Sequence, residues 1–143
     1  MTEAERLRGV GLRATRPRIA ILQALHEVGG HRSAEEVAAV LAKRMVRFAR
    51  ASVYNVLDDL VAARLVMLAD AGPGRALYEV ADEWHHHFVC RRCRWVTDVA
   101  CETGSRPCLG ATVPGAEIDD AQVIFRGLCS DCRDLDRASP PTP

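Results

Sequence analysis

The chain has 143 residues, of which 48% are hydrophobic and 27% charged, a composition that suits one globular domain or two small ones and excludes a disordered polymer. Lys+Arg and Asp+Glu both number 19, so the formal net charge is zero, which taken whole argues against a uniformly basic nucleic-acid binder. That balance sums two unlike halves, however: residues 1–78 carry 12 basic and 8 acidic side chains and residues 79–143 carry 7 and 11, the asymmetry expected of two modules with different partners.

Up to about residue 62 the pattern is helical. Thr15 is placed to cap a helix with Pro17 in its first turn, and Ile19, Leu22, Leu25 and Val28 recur at three-residue steps until Gly29-Gly30 stops it. Ser33-Ala34-Glu35-Glu36 is a capping box, followed by Val37, Val40 and Leu41 on one face. Val53, Val56, Leu57 and Leu60 make the stripe of a third helix, with Ser52 as its N-cap. The period then changes to short apolar runs, Leu65 to Ala69 and Arg75 to Val80, around a Gly- and Pro-rich turn. Three helices and a hairpin form a winged helix-turn-helix outline. After residue 80, His85 to Cys90, Arg94 to Ala100 and Ile118 to Leu128 read as strands, with a loop over residues 101–115. The fold expected is α+β: a winged helix-turn-helix over residues 1–80, a small α/β zinc-containing module over 81–134, and a disordered tail over 135–143.

No apolar run is long enough to span a bilayer and the start, MTEAERLRGVG, lacks the apolar core of a secretion signal, so a cytoplasmic location is expected. In that compartment six cysteines point to metal or redox chemistry rather than a disulfide framework. Cys90/Cys93 and Cys129/Cys132 form two knuckles whose four thiolates suit tetrahedral zinc; neither pair has the strand-then-helix context of a thioredoxin-like redox motif. Thirty-five residues separate Cys93 from Cys129, so the intervening chain must make an excursion and return. A β module with little core would depend on that metal to fold. Cys101 and Cys108 are left over, either as a redox-responsive thiol pair or as two small apolar residues. His85, His86 and His87 run into Cys90; in a strand, His85 and His87 share one face and His86 takes the other.

Taken together, HHHFVCRRC, the downstream CSDC, and the upstream TRPRIAIL and ASVYNVL resemble the ferric uptake regulator family of dimeric, metal-dependent bacterial repressors, from about residue 5 to residue 134. The CETGSRPC loop and the strands around the knuckles look most like its FurA/CatR-like, peroxide- and redox-responsive branch, encoded beside catalase-peroxidase genes. The resemblance implies that Cys90, Cys93, Cys129 and Cys132 hold structural zinc. It implies a regulatory metal at His31, Glu79, His85, His87 and Asp98, a mixed set compatible with Fe²⁺, Mn²⁺ or Zn²⁺. His86 with Asp119 or Asp120 is the candidate for an additional site. Three departures stand out: Arg94 replaces the glycine usual after the first CxxC, the 101–115 loop replaces a helix of the dimerisation domain, and Glu79 is expected of iron sensors where Asp98 matches the peroxide-sensing branch.

The regulatory set straddles the two modules, so one ion would fix their orientation in a homodimer and set two recognition helices at the half-site spacing of an inverted-repeat DNA operator. With the apolar stripe of the third helix inward, Ser52, Tyr54 and Asn55 face the groove, Tyr54 toward thymine methyls and Asn55 toward adenine edges. Arg13, Arg16, Arg18 and Arg50 are the phosphate contacts expected. The function expected is a repressor of oxidative-stress genes such as catalase-peroxidase, with an iron- or zinc-uptake regulator as the alternative within the family. A zinc-containing redox or protein-docking module without DNA binding is the alternative of another class. No enzyme is expected: the H-x-E with P-C-x-x-C pattern of zinc deaminases is absent, and four knuckle cysteines leave no open zinc position.

Overall fold

A computed structural model describes residues 1–104 and 110–138, which divide into two compact units, Met1–Asp82 and Glu83 onward. The first unit contains α1 (Glu3–Gly9), α2 (Arg16–Val28), α3 (Ala34–Lys43), α4 (Arg50–Ala62) and a hairpin of β1 (Val66–Asp70) with β2 (Ala76–Val80). The inward stripes read from the sequence close its core, where Leu22, Leu25, Val37, Leu41, Val53, Leu57 and Leu60 pack with Leu7 and Ile21. At about 25 cal/mol per Å² of apolar surface removed from water, such a cluster is the dominant stabilising term.

Two local readings change. α1 was not anticipated, although Thr2 and Glu5 form a full capping box in which Glu5 Oε2 accepts from the Thr2 backbone N–H at 2.7 Å, and Leu7 plugs the core from this helix. Ser52 is not the N-cap of α4: the helix begins three residues earlier than that cap would place it, with Ala49 in the cap position, so Ser52 lies inside its first turn. The helix-forming Ala51 and an ion pair from Arg50 to Glu35 of α3 hold that earlier turn in place of a side-chain cap. Thr15 does occupy the cap position of α2, without a side-chain hydrogen bond. At the other end of α2, Gly29 and Gly30 take φ of 57° and 62°, a pair of left-handed steps that reverses the chain into residue 31.

The second unit contains β3 (His85–Cys90), β4 (Val96–Ala100), β5 (Ile124–Gly127) and α5 (Ser130–Ala138), with strand order β4-β3-β5. β4 runs antiparallel to β3, whereas β5 runs parallel to it, which a long crossover from β4 permits. The strand expected over 118–128 shortens to Ile124–Gly127, the stretch that has β3 as its ladder partner. The disordered tail expected from 135 is also corrected: α5 continues to Ala138, and residues 139–143 lie outside the described residues. Arg92 clamps this helix by donating to the Cys132 carbonyl at 3.0 Å and pairing with the Asp136 carboxylate. Within the 101–115 loop, residues 101–104 and 110–115 form neither helix nor strand. Among the described residues only Val89, Cys90 and Cys132 are buried apolar residues of this unit, against eighteen in the first. So thin a core leaves the sheet dependent on something other than apolar burial. No helix among the described residues is long and apolar enough to cross a membrane.

Candidate metal centres and nucleic-acid face

The second unit gathers the two knuckles. β3 ends on Cys90, and the chain turns through Cys93, with Arg94 N–H donating to the Cys90 carbonyl at 2.9 Å and Cys90 N–H to the Trp95 carbonyl at 2.8 Å. Parallel pairing sets Gly127 beside Cys90, which delivers Cys129 two residues later and Cys132 in the first turn of α5. The four Sγ atoms lie within 4.8 Å of one another, and Cys93 Sγ is 3.8 Å from Cys129 Sγ. A tetrahedral ion with Zn–S bonds of about 2.3 Å requires sulfurs about 3.8 Å apart, so the arrangement fits structural zinc. The backbone N–H of Cys129, 3.4 Å from Cys90 Sγ, is the main cause that draws the Cys90 thiol down to about 5, while burial pushes Cys132 up to about 12. One sulfur is thus ready as a thiolate, and a cation is what favours the rest in that form. All four are free cysteines, whereas Cys101 is held in a disulfide and Cys108 lies outside the described residues.

Mixed imidazole and carboxylate donors occur in each unit. In the first, the segment after α2 forms an antiparallel bridge to β2, Arg32 opposite Tyr78 with N–H···O distances of 2.9 and 2.7 Å. Extending that register by one residue sets His31 opposite Glu79, and His31 Nε2 lies 3.2 Å from Glu79 Oε2 with both side chains largely buried. In the second, His87 is the β4 register partner of Asp98, and His85 shares their face two residues away. His85 Nε2 stands 3.2 Å from His87 Nε2 and 3.3 Å from Asp98 Oδ1. His85 Nδ1 is 2.8 Å from the Glu83 carbonyl, a partner that can only accept, so Nδ1 carries a hydrogen and Nε2 is the ring atom left facing His87 and Asp98. Ligand atoms about 2.1 Å from one ion stand about 3.4 Å apart, so the spacing within each unit fits donors to a cation.

His86 takes the opposite face, edge-on to the rings of Trp84 and Phe125 at 5.9 and 6.2 Å between centroids. Its Nδ1 is buried and finds no hydrogen-bond partner among the described residues. Asp119 and Asp120 are exposed on the irregular segment before β5, and no cluster of three or more metal-capable side chains among the described residues includes them or His86.

On the helical unit, Arg13 and Arg16 are exposed, as are Arg50 and Asn55, while Ser52 and Tyr54 are half-buried. Arg18 is not a free cation: it donates to Asp59 Oδ2 of α4 at 2.6 Å and to the Arg13 carbonyl at 3.1 Å, and so ties α2 to α4. Sequence reasoning missed Glu35, whose Oε1 accepts from the Tyr54 hydroxyl at 2.8 Å and from Arg50 at 3.2 Å. Read in sequence, Glu35 is simply an acid near a helix start; its partners lie 15 and 19 residues away.

With this geometry in hand, the profile of the ferric uptake regulator family matches residues 9–122. Transcriptional regulator FurA of Mycobacterium tuberculosis is 41% identical over 142 residues, covering 96% of this chain and 95% of that protein. Ferric uptake regulation protein 2 of Mycolicibacterium fortuitum is 39% identical over 131 residues, covering 88% and 89% respectively. Among solved structures, the ferric uptake regulator of Pseudomonas aeruginosa with manganese is 31% identical, with a TM-score of 0.71 over 91% of this chain and 99% of that one. A zinc uptake regulator complexed with zinc and DNA shares the fold at 20% identity, with a TM-score of 0.59 over 96% and 99%.

Proposed function

Because the chain belongs to the ferric uptake regulator family, whose members are metal-responsive transcriptional regulators and not enzymes, we propose that it is a dimeric, cytoplasmic, metal-dependent repressor that peroxide or a redox change switches off. Its targets under this reading are oxidative-stress genes such as catalase-peroxidase, controlled through an inverted-repeat operator. The observation that carries the reading is the presence of chemically distinct donor sets, four sulfurs gathered in the second unit and imidazole paired with carboxylate in each unit by itself. Sulfur alone suits a structural ion, and the mixed set suits an exchangeable Fe²⁺, Mn²⁺ or Zn²⁺. The 41% identity to a FurA protein along nearly its whole length supports the choice of branch.

In this proposal His31 and Glu79 act with His85, His87 and Asp98 as one regulatory site. Neither group alone offers four side-chain ligands, and only five residues separate Glu79 from His85 in the chain. The bound ion supplies a positive centre that makes simultaneous ligation by both groups favourable. His31 and Glu79 come from the unit that carries α4 and the wing, so their engagement restricts how that unit is presented to DNA; metal strengthens DNA binding only as far as it prefers that arrangement. Arg13, Arg16 and Arg50 neutralise phosphates, and Ser52, Tyr54 and Asn55 meet base edges. The peroxide signal is read at the ligand histidines or at Cys101 with Cys108, where in the reduced protein two thiols give up two protons and two electrons to peroxide, yielding two waters and a disulfide, the oxidised state in which Cys101 is held here.

DNA affinity of the metal-free chain, titrated separately with Mn²⁺, Fe²⁺ and Zn²⁺ before and after peroxide, tests the proposal. Metal-strengthened binding that peroxide abolishes in the iron-loaded protein is expected. A gain of about 16 Da on His31 or on His85 to His87 would assign the signal to the histidines, and a mass change confined to Cys101 and Cys108 would assign it to the thiols. Metal-strengthened binding that survives peroxide would instead favour the uptake-regulator reading, for which the 39% identical ferric uptake regulation protein speaks. Binding indifferent to metal would overturn both.

A further inference from the structure

The helix proposed to read DNA begins with its two most capable side chains already engaged. Tyr54 donates its hydroxyl to Glu35 Oε1 at 2.8 Å, and Arg50 donates to the same oxygen at 3.2 Å. The Arg50 guanidinium also lies over the Tyr54 ring, 5.6 Å from its centroid, a cation–π contact that closes a three-membered network. Glu35 stands at the second position of α3, beyond a Ser33 cap whose box is completed by Glu36, so the capping box of α3 is complete without it, although its carboxylate also accepts from its own backbone N–H. The carboxylate is exposed, and the Tyr54 hydroxyl chiefly holds it below its ordinary value, so it is ionised throughout the neutral range. An anion fixed on a face meant for phosphates costs affinity, and its retention calls for a compensating gain.

We propose that Glu35 is the specificity-determining positioning residue of the recognition helix: it locks Tyr54 in one orientation for base reading and Arg50 in one orientation toward the phosphate it neutralises, and its charge lowers affinity for DNA of arbitrary sequence. The inference rests on the DNA-binding reading above. Tyr54 pivots freely about two side-chain torsions unless its hydroxyl is anchored, and Arg50 has four; a single oxygen restrains both, so the ordering entropy is spent on folding and not on binding. The charge acts in the opposite sense on every phosphate backbone, because Coulomb repulsion is indifferent to base sequence. Glu35 would thus raise the ratio of specific to non-specific binding through both of its roles.

The two roles separate by substitution. Glu35→Gln removes the charge but keeps a carbonyl oxygen for the Tyr54 hydroxyl; Glu35→Ala removes both. The probes are a duplex selected by the wild-type chain from a random-sequence library and a scrambled duplex of equal composition, each with Mn²⁺ present. Both variants should bind the scrambled duplex several-fold more tightly. Glu35→Ala should lower the selected-to-scrambled ratio by about tenfold, the scale of one hydrogen bond to a charged group. Glu35→Gln should recover most of the part of that loss due to positioning. Tyr54→Phe, which deletes only the hydroxyl, should lower the ratio, and adding Glu35→Ala to it should lower binding discrimination no further than loss of the charge does in Glu35→Gln. A ratio in Glu35→Ala within twofold of wild type, or losses that simply add in the double variant, would overturn the inference. A wild-type chain that selects no duplex would overturn the DNA-binding reading itself, whereas clear selection with an unchanged Glu35→Ala ratio sinks the positioning role alone.

Discussion

Arg94 occupies a left-handed backbone conformation, φ 66°, at the point where the first knuckle turns back into β4. A side chain there is disfavoured by about 1 kcal/mol relative to glycine, and a β-branched one by more. Arg94→Gly is therefore expected to keep the zinc content and leave the thermal midpoint equal or higher, whereas Arg94→Val should lower it, as read by differential scanning calorimetry. His87 is 1% exposed and sits opposite Asp98 in the sheet. Its replacement by Ala should weaken regulatory-metal binding by at least 10–100-fold, on the scale seen when a site loses a supporting group, with the four-sulfur ion retained; calorimetric titration with Mn²⁺ and metal analysis read the two separately. At this scale the sequence is a good guide where the chemistry is local. CxxC spacing and the two-residue period of HHH mark candidate ligands because neighbouring residues set the geometry. Arg18 and Glu35 escape such reading: their partners Asp59 and Tyr54 lie on another helix, and only tertiary packing pairs them.

Elements differ in what sustains them. α1 is held by the Thr2 and Glu5 capping box and by Leu7. The Thr2 backbone N–H is the first cause holding the Glu5 carboxyl below its ordinary value of 4.5. A depressed acid contributes stability above that ordinary value and loses it as pH falls through the lower folded one, so α1 amides should lose hydrogen-exchange protection selectively as pH falls below 4.5, ahead of those in α4. α5 and β5 rest on the knuckles instead. Structural zinc contributes on the order of 10–16 kcal/mol in small metal-dependent folds, far more than three buried apolar residues supply. Cys132→Ser should accordingly abolish bound zinc and the sheet signals in NMR while the helical unit keeps its dispersion; chelation of the unsubstituted protein should do the same. The helices and hairpin of the first unit were legible because their apolar periods match their burial. α5 was not: a charged DCRDLDRA run has no apolar face to reveal it, and its order comes from Cys132 and the Arg92 clamp.

For the whole molecule, zero net charge says less than its distribution. In the proposed dimer, phosphate binding by Arg13, Arg16 and Arg50 from each of two chains would make six contacts, and a slope of log affinity against log salt near −5 is expected from about 0.9 per contact. Arg16→Ala should reduce that slope by about 2 per dimer and weaken selected and scrambled duplexes alike; fluorescence anisotropy across a salt series checks it. The parallel pairing of β3 with β5 bears on a different matter, the order in which the chain is made. The first unit is complete once residue 82 exists, but the fourth sulfur arrives only with Cys132, fifty residues later. During synthesis a finished helical unit therefore precedes the sheet proposed to regulate it, and β3 waits with an open edge. A cell starved of zinc would hold chains arrested at that stage, with an unfinished half open to proteases. Metal supply would then govern how long the protein survives as well as how tightly it binds.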